Sequence, residues 1–212
     1  MHEVFCVRYI IDGMQTYART ADGGSLPAGR QGFAHPKRNI GALDIQGGMK
    51  VADFGSGSGA YVLLIAERLL GSGHVYAIDV QKDLLRRTAN EAEKRGFKNV
   101  EVIWADLEAP RASKLASNSI DLVLISNLLF QVPDKLAVLR EARRIVKPRG
   151  QVAVIDWSDS FGGMGPQRED VVKKEQAIEL AQSAGLGLVR EFAAGAHHWG
   201  LIFRPAAEKI FV

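Results

Sequence analysis

Residues 51–59 read Val-Ala-Asp-Phe-Gly-Ser-Gly-Ser-Gly. A short apolar strand runs into an acid, and glycines follow at alternate positions, Gly55, Gly57 and Gly59. An amphipathic pattern opens directly afterwards, from Ala60 to Leu70. Glycine lets the chain turn tightly and come close to a ligand. A helix start offers free N–H groups and a positive dipole end. The stretch therefore predicts a strand–turn–helix unit that holds the anionic part of a nucleotide-like ligand.

Outward from this turn the pattern is regular. Strand Lys50–Phe54 precedes the helix over 60–70, which Gly71-Ser72-Gly73 ends. Strand His74–Asp79 precedes helix Lys82–Arg95, closed by Gly96. Strand Val100–Ala105, a polar loop over 107–118 and the almost wholly apolar strand Ser119–Ser126 follow. Helix Asp134–Val146 is expected to stop at Pro148-Arg149-Gly150, ahead of strand Gln151–Asp156. After a loop over 157–170 come helix Val171–Ala184 and two strands, Gly187–Phe192 and His198–Arg204. The short Ala-Ala-Gly-Ala link between those strands makes them antiparallel neighbours. The alternation specifies an α/β fold. Its expected form is Rossmann-like: seven mostly parallel strands, an antiparallel last strand and helices on both faces. The domain is expected over 34–212. Residues 1–33 are read as an appendage: a hairpin of Val4–Ile11 and Met14–Arg19 about Asp12-Gly13, then a flexible glycine-rich loop.

Composition narrows the classes. The chain has 212 residues, 47% hydrophobic and 24% charged, enough for one domain with a full core. No apolar run approaches the roughly 20 residues needed to span a bilayer. The N-terminus lacks a basic stretch followed by an apolar core, so a cytoplasmic location is expected. The one cysteine, Cys6, excludes an internal disulfide or a cysteine metal cluster, and the five histidines show no metal-site spacing. A net charge of +3 permits a nucleic-acid partner without implying one. Basic residues cluster over 82–98 and 140–149, interleaved with Glu91, Glu93 and Glu141 and without stacking aromatics, so they read as solvated helix faces.

Two further acids end strands. Asp79 ends the second, 20 residues after Gly59, where a carboxylate accepts ribose hydroxyls or caps the following helix. Asp106 follows the third, placed to read an adenine amine or to form a turn. Gly55, Gly57 and Ala60 also satisfy a dinucleotide pattern, so the glycines alone do not decide. Asp53 at the strand end would repel a pyrophosphate but welcome an amino group. Asp106 and the antiparallel strand pair point the same way.

These stretches, with Ala77-Ile78-Asp79, Trp104-Ala105-Asp106-Leu107, Asp121-Leu122-Val123-Leu124-Ile125-Ser126-Asn127 and Arg144-Ile145-Val146-Lys147-Pro148-Arg149-Gly150, resemble the class I methyltransferases that use S-adenosyl-L-methionine (SAM). The resemblance covers about residues 34–204 and is nearest to the small-molecule branch that includes ubiquinone- and menaquinone-biosynthesis enzymes. It implies that Gly55, Ser56, Gly57 and Gly59 cradle the methionine part of SAM, with Asp53 facing its amino group. It implies that Asp79 holds the ribose, that Val80 packs on the adenine, and that Ala105, Asp106 and Leu107 read the adenine edge. Ser126 and Asn127 would line the pocket near the methyl group. S-adenosyl-L-homocysteine (SAH) would be the product.

The resemblance also implies a reversed last strand, whose start lies at the same edge as the ends of the others. His197 and His198 are therefore candidate bases, with Asp156 as a further acceptor-side candidate. Ser-Asn-Leu-Leu after the fourth strand departs from the Asn/Asp-Pro-Pro-Tyr/Phe motif of nucleobase amine methylation, and Cys6 is remote from the site in sequence. A small or lipid-like acceptor is expected. An RNA or protein methyltransferase, a SAM-binding module without turnover and an NAD-dependent oxidoreductase are the alternatives. A homo-oligomer formed through an exposed hairpin edge is compatible with this reading.

Overall fold

The computed structural model describes residues 35–161 and 165–207. The expected N-terminal hairpin and loop, and Gly162 and Gly163 of the loop over 157–170, lie outside the described residues.

Helix α1 (Pro36–Asn39) continues into a 3-10 turn over Ile40–Ala42. Then follow β1 (Lys50–Phe54), α2 (Ala60–Arg68), β2 (His74–Asp79), α3 (Lys82–Lys94), β3 (Val100–Trp104) and β4 (Ile120–Ser126). Helix α4 (Lys135–Ile145), β5 (Val146–Trp157), α5 (Lys174–Ser183), β6 (Leu186–Gly195) and β7 (His198–Pro205) complete the order. The seven strands form one sheet in the order β3-β2-β1-β4-β5-β7-β6. Strands β1 to β5 run parallel, and β7 is inserted antiparallel between β5 and β6. This is the Rossmann-like architecture the strand–helix alternation predicts.

The sheet divides two apolar layers. Phe54, Val123, Ile125, Leu139 and Phe203 belong to the layer under α4 and α5. Val51, Val62, Ile65, Leu124 and Ile202 belong to the layer under α2 and α3. Central β4 feeds both layers through alternate residues, which is why it reads as continuously apolar. Full burial of each such side chain contributes about 1.5–3 kcal/mol.

Two local expectations are corrected. Helix α4 ends at Ile145, and β5 begins at once with Val146 and runs through Pro148 rather than starting at Gln151. Val146 pairs with Ile120, and the register then shifts before Gln151 pairs with Leu122. That irregularity absorbs Pro148, which has no N–H for the ladder. Gly150 is required there, because a Cβ would meet Val146 Cγ2 at 2.7 Å and the Asp121 carbonyl at 2.8 Å. The basic run on α4 is also not wholly a solvated face. Glu141 is 5% exposed, and the Arg144 guanidinium donates to its two oxygens at 2.8 and 2.7 Å.

Candidate functional site

The C-terminal ends of β1 to β5 and the start of β7 converge on one sheet edge, the binding edge of open α/β sheets. The glycine turn after β1 is pinned to β2. Gly55 and Ser56 N–H both donate to the Ile78 carbonyl, at 2.8 and 3.1 Å. Gly57 N–H donates to Asp79 Oδ2 at 2.8 Å. Gly59 caps α2 with φ +82°, a left-handed conformation, and a Cβ on it would meet Thr88 at 2.7 Å. Gly57 has φ +53° and open space where a Cβ would sit, so bare backbone faces the edge there.

Asp79 joins the glycine turn to the helix that follows β2. While Oδ2 holds Gly57, Oδ1 accepts from Gln81 N–H at 2.8 Å at the entry to α3. Each oxygen keeps a second acceptor position. Asp53 is 2% exposed at the end of β1. Burial, and then the neighbouring Asp79 charge, raise its carboxyl well above the usual range.

Buried side-chain oxygens without a hydrogen-bond partner among the described residues include Ser56 Oγ in the turn and Asn127 Oδ1 just beyond β4. Asn127 adopts φ +52°, and its N–H donates to the Ile155 carbonyl. Ser126 closes β4. Across the edge, Val80 is 59% exposed and offers an apolar face. Ala105 N–H donates to the Asp79 carbonyl, and Ala105 and Leu107 are buried on either side of exposed Asp106. Asp106 Oδ1 accepts from Glu108 N–H at 3.0 Å. The edge thus gathers acids, bare backbone and an apolar face side by side.

Sequence reasoning missed Tyr61 and Asn39. Tyr61 lies in the first turn of α2, buried, and accepts from Asn39 Nδ2 at 3.1 Å. Burial raises its hydroxyl, against hydrogen bonds from Asn39 and Ser126, and the Asp53 charge adds to the rise. Both residues therefore belong to the Asp53 neighbourhood. An aromatic on an amphipathic helix reads as ordinary core, so no local signal marks it.

Asp156, His197 and His198, the acceptor-side candidates, lie around the end of β5 and the start of β7. Asp156 is 1% exposed, and its Oδ1 accepts from Trp157 N–H at 2.8 Å. Burial pushes this carboxyl up to about 7, against the N–H groups of Trp157, Phe130 and Leu129 and the charge of Lys135. His198 is 6% exposed and packs on Trp157 with ring centroids 4.2 Å apart. Burial, and then His197, lower it to about 4. His197 sits in the two-residue turn between β6 and β7, where its Nδ1 meets Asp159 Oδ1 at 2.8 Å and Oδ2 at 3.1 Å. Asp159 is a further residue the sequence did not flag. Trp199 donates to the Val172 carbonyl, and Gly165 packs against the face of Trp157, so both tryptophans are packing elements.

The depressed His198 value carries a stability consequence. The native ring holds fewer protons than the unfolded one between pH 6.5 and about 4. Its contribution is therefore intact above pH 6.5 and lost as pH falls toward 4. The loss is on the order of 3 kcal/mol. Asp156 works in the opposite sense, since its raised value removes stability as pH rises toward 7. Urea unfolding at pH 7.5 and 4.5 is expected to show a smaller acid loss for His198→Gln than for the wild type. Equal losses would contradict the burial argument.

Among the described residues no group of three His, Cys, Asp or Glu side chains is placed to hold a metal, and no helix is long and apolar enough to cross a membrane.

A family model described as a methyltransferase domain matches residues 45–199, and the chain belongs to that family. The demethylmenaquinone methyltransferase of Listeria welshimeri is 33% identical over 123 residues, covering 58% of this chain and 50% of that protein. The chain thus spans about half the length of the curated relatives it matches. A SAM-dependent methyltransferase from Aquifex aeolicus superposes with a TM-score of 0.73 at 27% identity, over 81% of this chain and 89% of its own. The cyclase SpnF has the same fold at 16% identity, with a TM-score of 0.68 over 85% of this chain and 89% of its own.

Proposed function

We propose that the chain binds SAM and transfers its methyl group to a small, lipid-like acceptor of the quinol class. The acid pair Asp53 and Asp79 around the glycine turn carries the donor half of this reading. Buried Asp53 suits a ligand amino group, and Asp79, which keeps acceptor positions beyond Gly57 and Gln81, suits a ribose.

In this reading Asp53 faces the amino group, and the Gly55–Gly59 backbone with Ser56 holds the carboxylate end. Asp79 takes the ribose hydroxyls on its remaining acceptor positions. Val80 packs on the adenine, whose edge meets Ala105, Asp106 and Leu107. Ser126 and Asn127 line the passage to the acceptor half. When bound, SAM supplies an electrophilic methyl group on a sulfonium. The protein's part is to hold an acceptor in line with that group and to keep water out. The quinol class is supported by the demethylmenaquinone relatives and by the exposed ring of Phe161, 45% exposed beside His197.

The test is transfer of label from methyl-tritiated SAM to a dithionite-reduced 2-prenyl-1,4-naphthoquinone, with bulk tRNA and total protein as competing acceptors. The reading expects label in the naphthoquinol fraction. Label in tRNA or protein would overturn the acceptor class.

A further inference from the structure

Strand β3 stands at one end of the sheet, and among the described residues no strand pairs with its outer side. Val75 N–H donates to the Asn99 carbonyl, and Ala105 N–H donates to the Asp79 carbonyl. Residues 99 and 105 thus turn their backbone polar groups toward β2. Successive residues of a strand alternate in this respect, so the N–H and C=O groups of Val100, Val102 and Trp104 face outward. The Trp104 carbonyl accepts from exposed Lys114 Nζ at 3.3 Å and keeps a second lone pair. The strand reads Val-Glu-Val-Ile-Trp, with high strand preference and no proline to block a further strand.

The side chains of the same three residues share one face. Val100 packs with the layer under α2 and α3, and alternate residues point the same way. On that face Val102 is 36% and Trp104 52% exposed. The indole is held in place: its Nε1 donates to the Val80 carbonyl at 2.9 Å, and Lys82 Nζ lies 4.0 Å from the ring centroid. At the other end of the strand, beside Val100, runs a groove of about 380 Å³ lined by Ala89, Ala92, Gly96 and Phe97. A fixed, half-exposed indole and an apolar groove therefore flank Val102 on either side.

We propose that β3 is the seat of a twofold homodimer, in which a second copy of this chain adds its own β3 antiparallel, with Val102 opposite Val102. In that register Trp104 of each copy stands opposite Val100 of the other, on the same face of the joined sheet. Each indole then enters the other copy's groove, and the same patch serves both sides, as an isologous interface requires. A rigid tryptophan seated in an apolar groove is the kind of anchor that dominates interface energy.

The charges agree with this pairing. Toward the groove, α3 presents Lys82 and Arg86 at its start and Glu93 near its end. The twofold runs the two α3 helices antiparallel. Glu93 of each copy is thereby set beside Lys82 and Arg86 of the other. The dimer does not depend on what the cofactor edge binds.

Sedimentation equilibrium of the full chain is expected to give the mass of two chains rather than the 23.1 kDa of one. Val102→Arg sets two cations face to face on the twofold, and it should raise the dimer dissociation constant at least about tenfold with circular dichroism unchanged. Lys82→Glu and Glu93→Lys should each weaken their own homodimer severalfold. An equimolar mixture of those two variants should dimerise like the wild type, because the mixed pair opposes unlike charges at both contacts. In a Cys6→Ser background, Val102→Cys should cross-link to its own copy on oxidation, since directly opposed Cα atoms lie about 5.5 Å apart. Val100→Cys should not, because the antiparallel register carries its copy to the far end of the strand. A monomer at every concentration would overturn the proposal, and slow amide exchange of Val102 in that monomer would show another segment of the chain covering the edge. A dimer that survives Val102→Arg and leaves Val102→Cys without a cross-link would use another surface and overturn it too.

Discussion

Asp79→Ala is expected to weaken SAH binding by at least about 100-fold, on the order of 3 kcal/mol. The size follows from two jobs lost together. The carboxylate holds the glycine turn through Gly57 N–H and the start of α3 through Gln81 N–H, each at 2.8 Å. It is also the group assigned to the ribose hydroxyls. Removing it releases the backbone that would line the ligand and removes the ligand's own partner. Asp79→Asn should fall between, because an amide keeps one acceptor oxygen for one of the two N–H groups. Calorimetry on folded protein, checked by circular dichroism, decides. Undiminished affinity in Asp79→Ala would refute the ribose assignment and leave the residue as a helix cap.

Glu141→Ala is expected to cost about 1.5–3 kcal/mol of stability, because it removes the charged acceptor of half-buried Arg144 and of buried Ser113. Glu141 accepts from Ser113 N–H at 3.0 Å, from Ser113 Oγ at 2.5 Å and from Arg144 at 2.7 and 2.8 Å. Burial opposes its ionisation, but the Arg144 and Ser113 hydrogen bonds outweigh that, and the carboxyl lies below its ordinary value. Its contribution is therefore present above the ordinary carboxylate range and lost as pH falls through the lowered value. Alanine would leave Arg144 and Ser113 to find water beneath the 107–118 loop. For a chain of this size the melting temperature should drop by roughly 3–12 °C. SAH affinity, measured well below the transition, should be unchanged, because the network lies outside the cofactor edge. A melting temperature equal to wild type would show that the ion pair merely offsets its own desolvation.

The residues proposed for the donor half stand out in the sequence because their placement is local. Asp53, Asp79 and Asp106 each stand at or just beyond the end of a strand, and Gly55, Gly57 and Gly59 follow directly, so strand periodicity alone puts them at one edge. The seven strands were legible for the same reason. The boundary between α4 and β5 was not. Pro148-Arg149-Gly150 has the composition of a loop, and only pairing with β4 draws it into a strand.

The acceptor half depends on contacts between distant segments. His197 and His198 are neighbours in sequence with opposite environments. The hairpin turn leaves His197 with Asp159, while pairing with Trp157 buries His198. Asp159 sits in a polar, glycine-rich loop with no periodicity to mark it. Asn39 and Tyr61 are 22 residues apart and meet only in the folded chain.

The most direct test of the donor site is calorimetric titration of the purified protein with SAM, SAH and NAD in parallel. The acid pair around the glycine turn predicts micromolar binding of SAM and SAH and no binding of NAD. Binding of NAD, or of none of the three, would contradict it.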